Sequence, residues 1–349
     1  MKWIDLRSDT VSLPTPEMRQ AMASASLGDD VFGDDPTVNR LQEMAAELLG
    51  KEAGLFMPSG TMANLTAVLT HCGRGDEVIL GNKSHTFLYE AGGISALGGV
   101  HSCQVPNQPD GTMLIEDIKN AIRGDNIHFP RTRLICLENT HNRCGGMPLP
   151  LDYHQQVYAI AHQRGIQVHI DGARIFNAAV ALNIKAADIA QASDSITFCL
   201  SKGLCAPIGS VLCGSRAFIE EARRIRKQLG GGMRQVGVIA AAGIVALETM
   251  TERLKEDHQR AKALAEGISD LNGILFPMGM PTTNMVFIEL DQSLPVNAAQ
   301  LIEQLKQDGL LAISINDRQI RLVTHYWIND DDIDHSIEIF RKAFKKLIS

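Results

Sequence analysis

The residues best suited to chemistry begin with a lysine between an apolar strand and a turn. Residues 195–200, Ser-Ile-Thr-Phe-Cys-Leu, read as a buried strand running into Ser201 and Lys202, after which Gly203 and Pro207 break regular structure. An amine held at the end of a rigid strand among small and apolar neighbours can lose its charge by desolvation and act as an imine-forming nucleophile. A surface lysine flanking a strand has the same local sequence, so Lys202 needs partners elsewhere in the chain.

Two such partners stand upstream. The alternating run from Ile166 to Ile170 reads as another strand, and it ends in the carboxylate of Asp171 within the segment His-Ile-Asp-Gly-Ala-Arg, residues 169–174. An aspartate and a lysine on successive strand ends match what a pyridoxal 5'-phosphate site needs. The carboxylate keeps the pyridine nitrogen protonated while the lysine holds the aldehyde carbon. Further upstream, residues 56–64 pass through Pro58, Ser59, Gly60 and Thr61 into a helix, whose free N–H groups and dipole would receive a phosphate. Helix caps and strand-end aspartates are common singly; the order phosphate cup, aspartate, lysine makes them a candidate cofactor site.

The elements that must position these groups alternate. From Pro36 to about Thr249 the pattern predicts helices over 37–49, 61–71, 87–96, 114–123, 152–164 and 215–228. Strands are predicted over 77–81, 100–105, 132–138, 166–170, 195–200 and 209–213. The expected fold class is α/β, with a mostly parallel sheet covered on both faces. Ligands bind beyond the carboxyl ends of such strands, where Glu138, Asp171 and Lys202 fall. Residues 1–35 read as irregular and acid-rich. After three glycines at 230–232, a helical region over 235–269 leads to strands at 284–290, 311–315 and 319–324 and helices at 297–308 and from 331. The division this predicts is a large unit over 1–250, with an N-terminal active-site segment, and a small α+β unit over 251–349.

At 349 residues with 45% apolar and 21% charged content, the chain is an ordinary globular protein able to bury a large core. A net charge of -7 argues against nucleic acid or an anionic membrane as partner. The basic run at residues 223–227 reads as a solvated helix face, with a phosphate or subunit contact left open. The longest apolar stretch, Val236 to Leu247, is too short to span a bilayer. Charges occupy the N-terminus where a signal peptide would be apolar. The seven cysteines are an odd number without a Cys-x-x-Cys pair, which points to reduced thiols rather than disulfides or a metal site. The expected location is the cytoplasm.

The chain resembles the low-specificity L-threonine aldolases, a family of fold-type-I (aspartate-aminotransferase-like) pyridoxal phosphate enzymes. The likeness spans nearly the whole length. It is carried by residues 5–11 (Asp-Leu-Arg-Ser-Asp-Thr-Val), 28–37, 58–61, 137–142, 169–177, 200–204, 230–235 and 321–325. Two departures are Phe32, where many members have tyrosine, and Cys205, which replaces a common glycine.

The resemblance implies roles residue by residue. Lys202 would carry the cofactor, Asp171 would pair with its ring nitrogen, and Arg174 would contact the cofactor's phenolate oxygen or the substrate carboxylate. Ser59, Gly60 and Thr61 would hold the phosphate, completed by Arg234 of a neighbouring subunit, and His85 would stack on the ring. Ser8 and Arg321 look like a carboxylate clamp, since guanidinium and carboxylate pair in a fixed bidentate geometry. The implied reaction is retro-aldol cleavage of L-threonine, L-allo-threonine and related β-hydroxy-α-amino acids to glycine and an aldehyde. His85 and His128 are candidate bases for the β-hydroxyl, as is a water held by Lys227 or the phosphate. A β-eliminating lyase or an aminotransferase of the same fold is the alternative. A homo-oligomer, a tetramer with sites shared between subunits, is expected because the Val/Ile/Ala-rich helix after Arg234 suits close packing.

Overall fold

The computed structural model describes residues 3–348. Its centre is a seven-stranded sheet in the spatial order Ala53–Met57, Ser210–Gly214, Ser195–Cys199, Gln167–Asp171, Thr132–Glu138, Glu77–Gly81, His101–Val105. Only Ser210–Gly214 runs against its neighbours; the other adjacent pairs are parallel. Strands such as Glu77–Gly81 and Ser195–Cys199 are buried along their whole length, as expected for a sheet covered on both faces. Among the described residues three apolar clusters, around Ile79, Leu65 and Leu55, line the sheet.

A second unit is built on a four-stranded antiparallel sheet, ordered Ile313–Ser314, Gln319–Val323, Met285–Leu290, Ile274–Leu275. Its core collects Leu264, Ile268, Leu301 and Phe340 from the helices Leu254–Ile268, Ala298–Gln307 and Asp330–Ile348. The same core includes Ile4 and Leu6 from the other end of the chain. Ile4–Asp5 pairs parallel with Leu310–Leu311, and the Val323 N–H donates to Leu6 O at 2.9 Å. The N-terminal segment is thereby stitched to the second unit before it reaches the large sheet.

Several elements depart from the sequence reading. Residues 1–35, read as irregular, contain the helix Pro16–Ala23, started by Thr15 as cap and proline in the first turn. The strand Ala53–Met57 and the helices Ile175–Leu182 and Ala186–Ala190 lay in stretches left unassigned; short apolar runs do not distinguish strand from helix by period. The single helix expected over 87–96 is two short pieces, His85–Leu88 and Gly93–Ala96, divided at Ala91 and Gly92, both with positive φ. The long helical region is likewise two helices, Gly237–Thr249 and Leu254–Ile268. In the basic run, Arg226 is buried, donating to Asp30 Oδ2 at 2.5 Å and to the Phe56 carbonyl at 2.8 Å.

One carboxylate anchors two helices. Asp35 is fully buried; its Oδ1 accepts from the N–H groups of Thr37 (3.1 Å) and Val38 (3.0 Å), and its Oδ2 accepts from Gly237 N–H (2.8 Å). It therefore caps both Pro36–Leu49 and Gly237–Thr249, which pack on each other. A Cβ at position 237 would lie 2.4 Å from Asp35 Oδ1, so the approach requires glycine. Replacing Asp35 by Ala is expected to remove both caps and lower stability by about 3 kcal/mol, with Asp35→Asn less harmful. Urea unfolding measures this, and an unchanged midpoint for Asp35→Ala would refute the double-cap role.

Candidate active site

The carboxyl ends of the parallel strands converge on a cavity of about 200 Å³. Its lining includes Ser59, Gly60 and Thr61, then His85 and Asp171, then Lys202, so these six predicted residues come together. Asn64, Glu90, Cys199 and Ser201 complete much of the wall.

The anion-binding end is the start of the helix Gly60–His71. Ser59 Oγ accepts from Met62 N–H at 3.1 Å, leaving the amides of Gly60 and Thr61 without intrahelical partners in the first turn. A Cβ on Gly60 would stand 2.9 Å from Cys199 Sγ, so a side chain here would displace that sulfur from the cavity wall. Dipole and free amides together make a phosphate cup.

Asp171 is buried at the end of its strand. Its Oδ2 accepts from Asn64 Nδ2 at 2.9 Å and its Oδ1 from Ala173 N–H at 3.1 Å. Nearby, His85 Nδ1 lies 2.9 Å from Glu90 Oε1, which also accepts from Asn64 Nδ2 at 2.8 Å. Burial and the charge of Asp171 push the Glu90 carboxyl up, against the hydrogen bonds from His85 and Asn64. For His85, burial favours the neutral ring, but the Glu90 hydrogen bond and the charges of Asp171 and Glu90 raise its pKa overall. Glu138 acts on the backbone: its Oε2 accepts from His85 N–H at 2.6 Å and its Oε1 from Asn142 N–H at 2.8 Å.

A second cluster flanks the cavity. Arg174 donates to Asp9 through Nε at 2.7 Å and Nη2 at 2.6 Å, both side chains almost wholly buried. Burial alone would raise the Asp9 carboxyl, but the charges of Arg174, Lys202 and Arg321 and the Arg174 hydrogen bonds hold it well below the ordinary range. Arg321 donates to Asn142 Oδ1 at 2.8 Å and to Arg7 O at 3.3 Å, while its Nε is buried without a partner. Burial and the neighbouring Arg174 charge lower its pKa to about 10. A guanidinium with an idle buried N–H beside a second arginine is a receptor for a carboxylate. Ser8 precedes Asp9 and uses its Oγ to accept from Thr10 N–H at 3.2 Å.

Three predicted residues stand apart from the cavity within one chain. His128 is exposed in the loop between the helix Ile115–Ala121 and the start of Thr132–Glu138, at the opposite end of that strand from Glu138. A seven-residue strand puts those ends on the order of 20 Å apart. Lys227 is exposed near the end of the helix Arg216–Gln228. Arg234 is 57% exposed and donates to Asp29 Oδ2 at 2.9 Å.

The sequence reading missed Asp9, Asn64 and Glu90. Asp9 sat inside a quoted motif, but its partner lies 165 positions away. Asn64 carried a usable signal, being the one side-chain amide in the helix, one turn after the cup and on the same face as His71. Glu90 carried none, because it lies in the break between two short helices, just before the Ala91–Gly92 turn, which the single expected helix hid.

Residues fitted for a pyridoxal phosphate are therefore present: a cup for its phosphate, a buried carboxylate for its ring nitrogen, and an amine on the same cavity wall. Comparison with known proteins agrees. Residues 5–293 match the family model described as β-eliminating lyase. Low-specificity L-threonine aldolase 1 of Arabidopsis thaliana is 48% identical over 346 residues, covering 98% of this chain and 97% of that protein. The low specificity L-threonine aldolase of Escherichia coli K12 is 46% identical over 331 residues, 95% and 96% of the two chains. Among solved structures, Leishmania major threonine aldolase superposes with a TM-score of 0.84 at 21% identity, covering 98% of this chain and 99% of that one. With its site architecture and these relatives taken together, the chain belongs to the low-specificity L-threonine aldolase family, within the β-eliminating lyases.

Proposed function

We propose that this protein cleaves L-threonine, L-allo-threonine and related β-hydroxy-α-amino acids to glycine and an aldehyde, as a pyridoxal-phosphate-dependent aldehyde-lyase of fold type I. The observation that carries the reading is the meeting of Lys202, Asp171 and the N-terminus of Gly60–His71 on one cavity, in a chain 48% identical to a threonine aldolase.

When bound, pyridoxal phosphate supplies a conjugated, protonated ring that accepts the electron pair released as Cα–Cβ breaks. The protein's residues do the rest. Lys202 is the point of covalent attachment, and the amides of Gly60 and Thr61 take the phosphate with Ser59. Asp171 would hold the proton on the ring nitrogen, and His85, on the same cavity wall, would stack on the ring. Arg321, with Arg174 beside it and Ser8 at the same edge, takes the substrate carboxylate; the idle Arg321 Nε supports this. His85, polarised by Glu90, is the nearest imidazole able to accept the β-hydroxyl proton.

We further propose a cytoplasmic homo-oligomer, a tetramer in which Arg234 completes a neighbour's phosphate cup, with Lys227, holding a water, and His128 as further candidates for the β-hydroxyl proton at a site built from two chains. Supporting it, apolar groups stay exposed around the loop before residue 36 and on the following helices: Leu27, Val31, Phe32 (75%), Tyr89 and Val238. On His128's loop, Ile127 is 98% exposed. Among the described residues no helix is long and apolar enough to cross a membrane, and the cysteines are free. Residues 1–250 are read as the cofactor-binding unit and 251–349 as the small unit, consistent with the separate cores, with Ile4 and Leu6 reaching across.

Acetaldehyde release from L-threonine, rather than ammonia or a keto acid, distinguishes this activity from elimination or transamination. Lys202→Ala is expected to abolish the protein's visible absorption band and lower turnover by more than about a thousandfold; wild-type colour and rate would overturn the assignment. Arg321→Ala is expected to raise KM for L-threonine by roughly a hundredfold with a smaller change in kcat. A KM at the wild-type value would remove Arg321 from the clamp. Mixing inactive Lys202→Ala with inactive Arg234→Ala chains should restore part of the activity once subunits exchange. Proven exchange without recovery would count against a site completed by a neighbour's Arg234.

A further inference from the structure

Behind the cavity lies a line of polar side chains that none of the roles above uses. It joins the helix Gly60–His71 to two strands of the central sheet. His71 Nε2 lies 2.8 Å from Ser195 Oγ, and Ser195 Oγ lies 2.8 Å from His169 Nδ1. His169 Nε2 lies 3.2 Å from Asn64 Oδ1, and Asn64 Nδ2 reaches both Asp171 and Glu90. The spacing follows from the elements. His169 and Asp171 alternate onto one face of their strand, Ser195 is the registered neighbour of His169, and Asn64 and His71 recur two turns apart on one helix face.

The direction of every hydrogen bond in this line is determined. Asn64 faces two carboxylates with its amide, so its Oδ1 must accept and His169 must donate through Nε2. Burial keeps His169 neutral, its pKa pushed down to about 3, so the ring carries one proton and its Nδ1 is bare. Ser195 must then donate its hydroxyl proton to that Nδ1, which leaves its oxygen to accept from His71. His71, also neutral by burial with a pKa near 4, must therefore be protonated on Nε2. All donors in the line point toward the carboxylates.

We propose that His71, Ser195, His169 and Asn64 form one unidirectional hydrogen-bond chain that orients Asp171 and sustains the negative charge it would present to the cofactor's ring nitrogen. They are positioning residues, and the proposal rests on the reading of Asp171 as partner of the ring nitrogen. In a site this buried a carboxylate needs fixed donors to remain ionised. Asn64 supplies one, and the chain behind it prevents the amide from turning over. Glu90 takes the amide's second hydrogen, so the same residue also holds the carboxylate that engages His85.

The test has two parts. In the cofactor-free protein, imidazole ¹⁵N NMR should show His71 and His169 as neutral rings protonated on Nε2 at neutral pH. A His169 ring protonated on Nδ1, or on both nitrogens, overturns the chain. In the loaded enzyme, His169→Leu should lower kcat roughly ten- to hundredfold and weaken pyridoxal phosphate binding, with KM for L-threonine within about twofold. His169→Gln, whose amide can donate where Nε2 did, should recover most of that loss. Asp171→Asn is the reference. If it leaves kcat unchanged, the reading of Asp171 fails. If it is impaired while His169→Leu runs at the wild-type rate, the chain alone fails. Equal losses in His169→Leu and His169→Gln also overturn it, since bulk rather than the donor would then matter.

Discussion

The buried pair of Asp9 and Arg174 is the contact on which the assembly of the site turns. Neither residue belongs to the same element: Asp9 lies in the N-terminal segment, and Arg174 follows the strand that ends in Asp171. Asn284, at the edge of the second unit, adds a weak donor to Asp9 at 3.4 Å. Three parts of the chain thus meet at one carboxylate. Removing one member of such a pair leaves an uncompensated charge in a desolvated place, at a cost of about 3 to 5 kcal/mol. The pair also fixes which charges remain available. Arg174 turns two of its nitrogens to Asp9, and beside it Arg321 keeps a buried Nε–H without a partner.

The same economy of charge governs the cavity itself. Parallel strands deliver their last residues to one edge, so Glu138, Asp171 and Lys202 arrive together whether or not their charges balance. Each carboxylate is then held by backbone, amide or imidazole donors rather than by a lysine or an arginine. Glu138 takes two N–H groups, Asp171 takes Ala173 N–H and Asn64, and Glu90 takes Asn64 and His85. Lysine is thereby left free for chemistry.

Much of this was legible in the sequence because it is local. The strands Glu77–Gly81 and Thr132–Glu138 announce themselves by composition, and the cup by its Ser-Gly-Thr turn before a helix. Asp171 and Lys202 follow from strand ends. What the sequence did not reveal is the pairing between distant residues. Nothing near Arg174 names Asp9, and nothing near Asp171 names Asn64. The basic run around Arg226 read as solvated because its buried partner, Asp30, is 196 positions away. Cys205 illustrates the reverse. The glycine expected there by resemblance matches a backbone at φ 63°, where the left-handed conformation is strained for any other residue.

The pairing of Ile4–Asp5 with Leu310–Leu311 sets an order on biosynthesis. The central sheet is complete once residue 214 has emerged, but the first strand of the chain has no neighbour until residue 311 does. At ribosomal speeds of about 5 to 20 residues per second, the N-terminal segment waits roughly 15 to 60 s, with Ile4 and Leu6 exposed. This is a contact of very high sequence separation, slow to form for entropic reasons. The helix Gly60–His71 and Lys202 can be in place on the nascent chain well before Arg321 has been made.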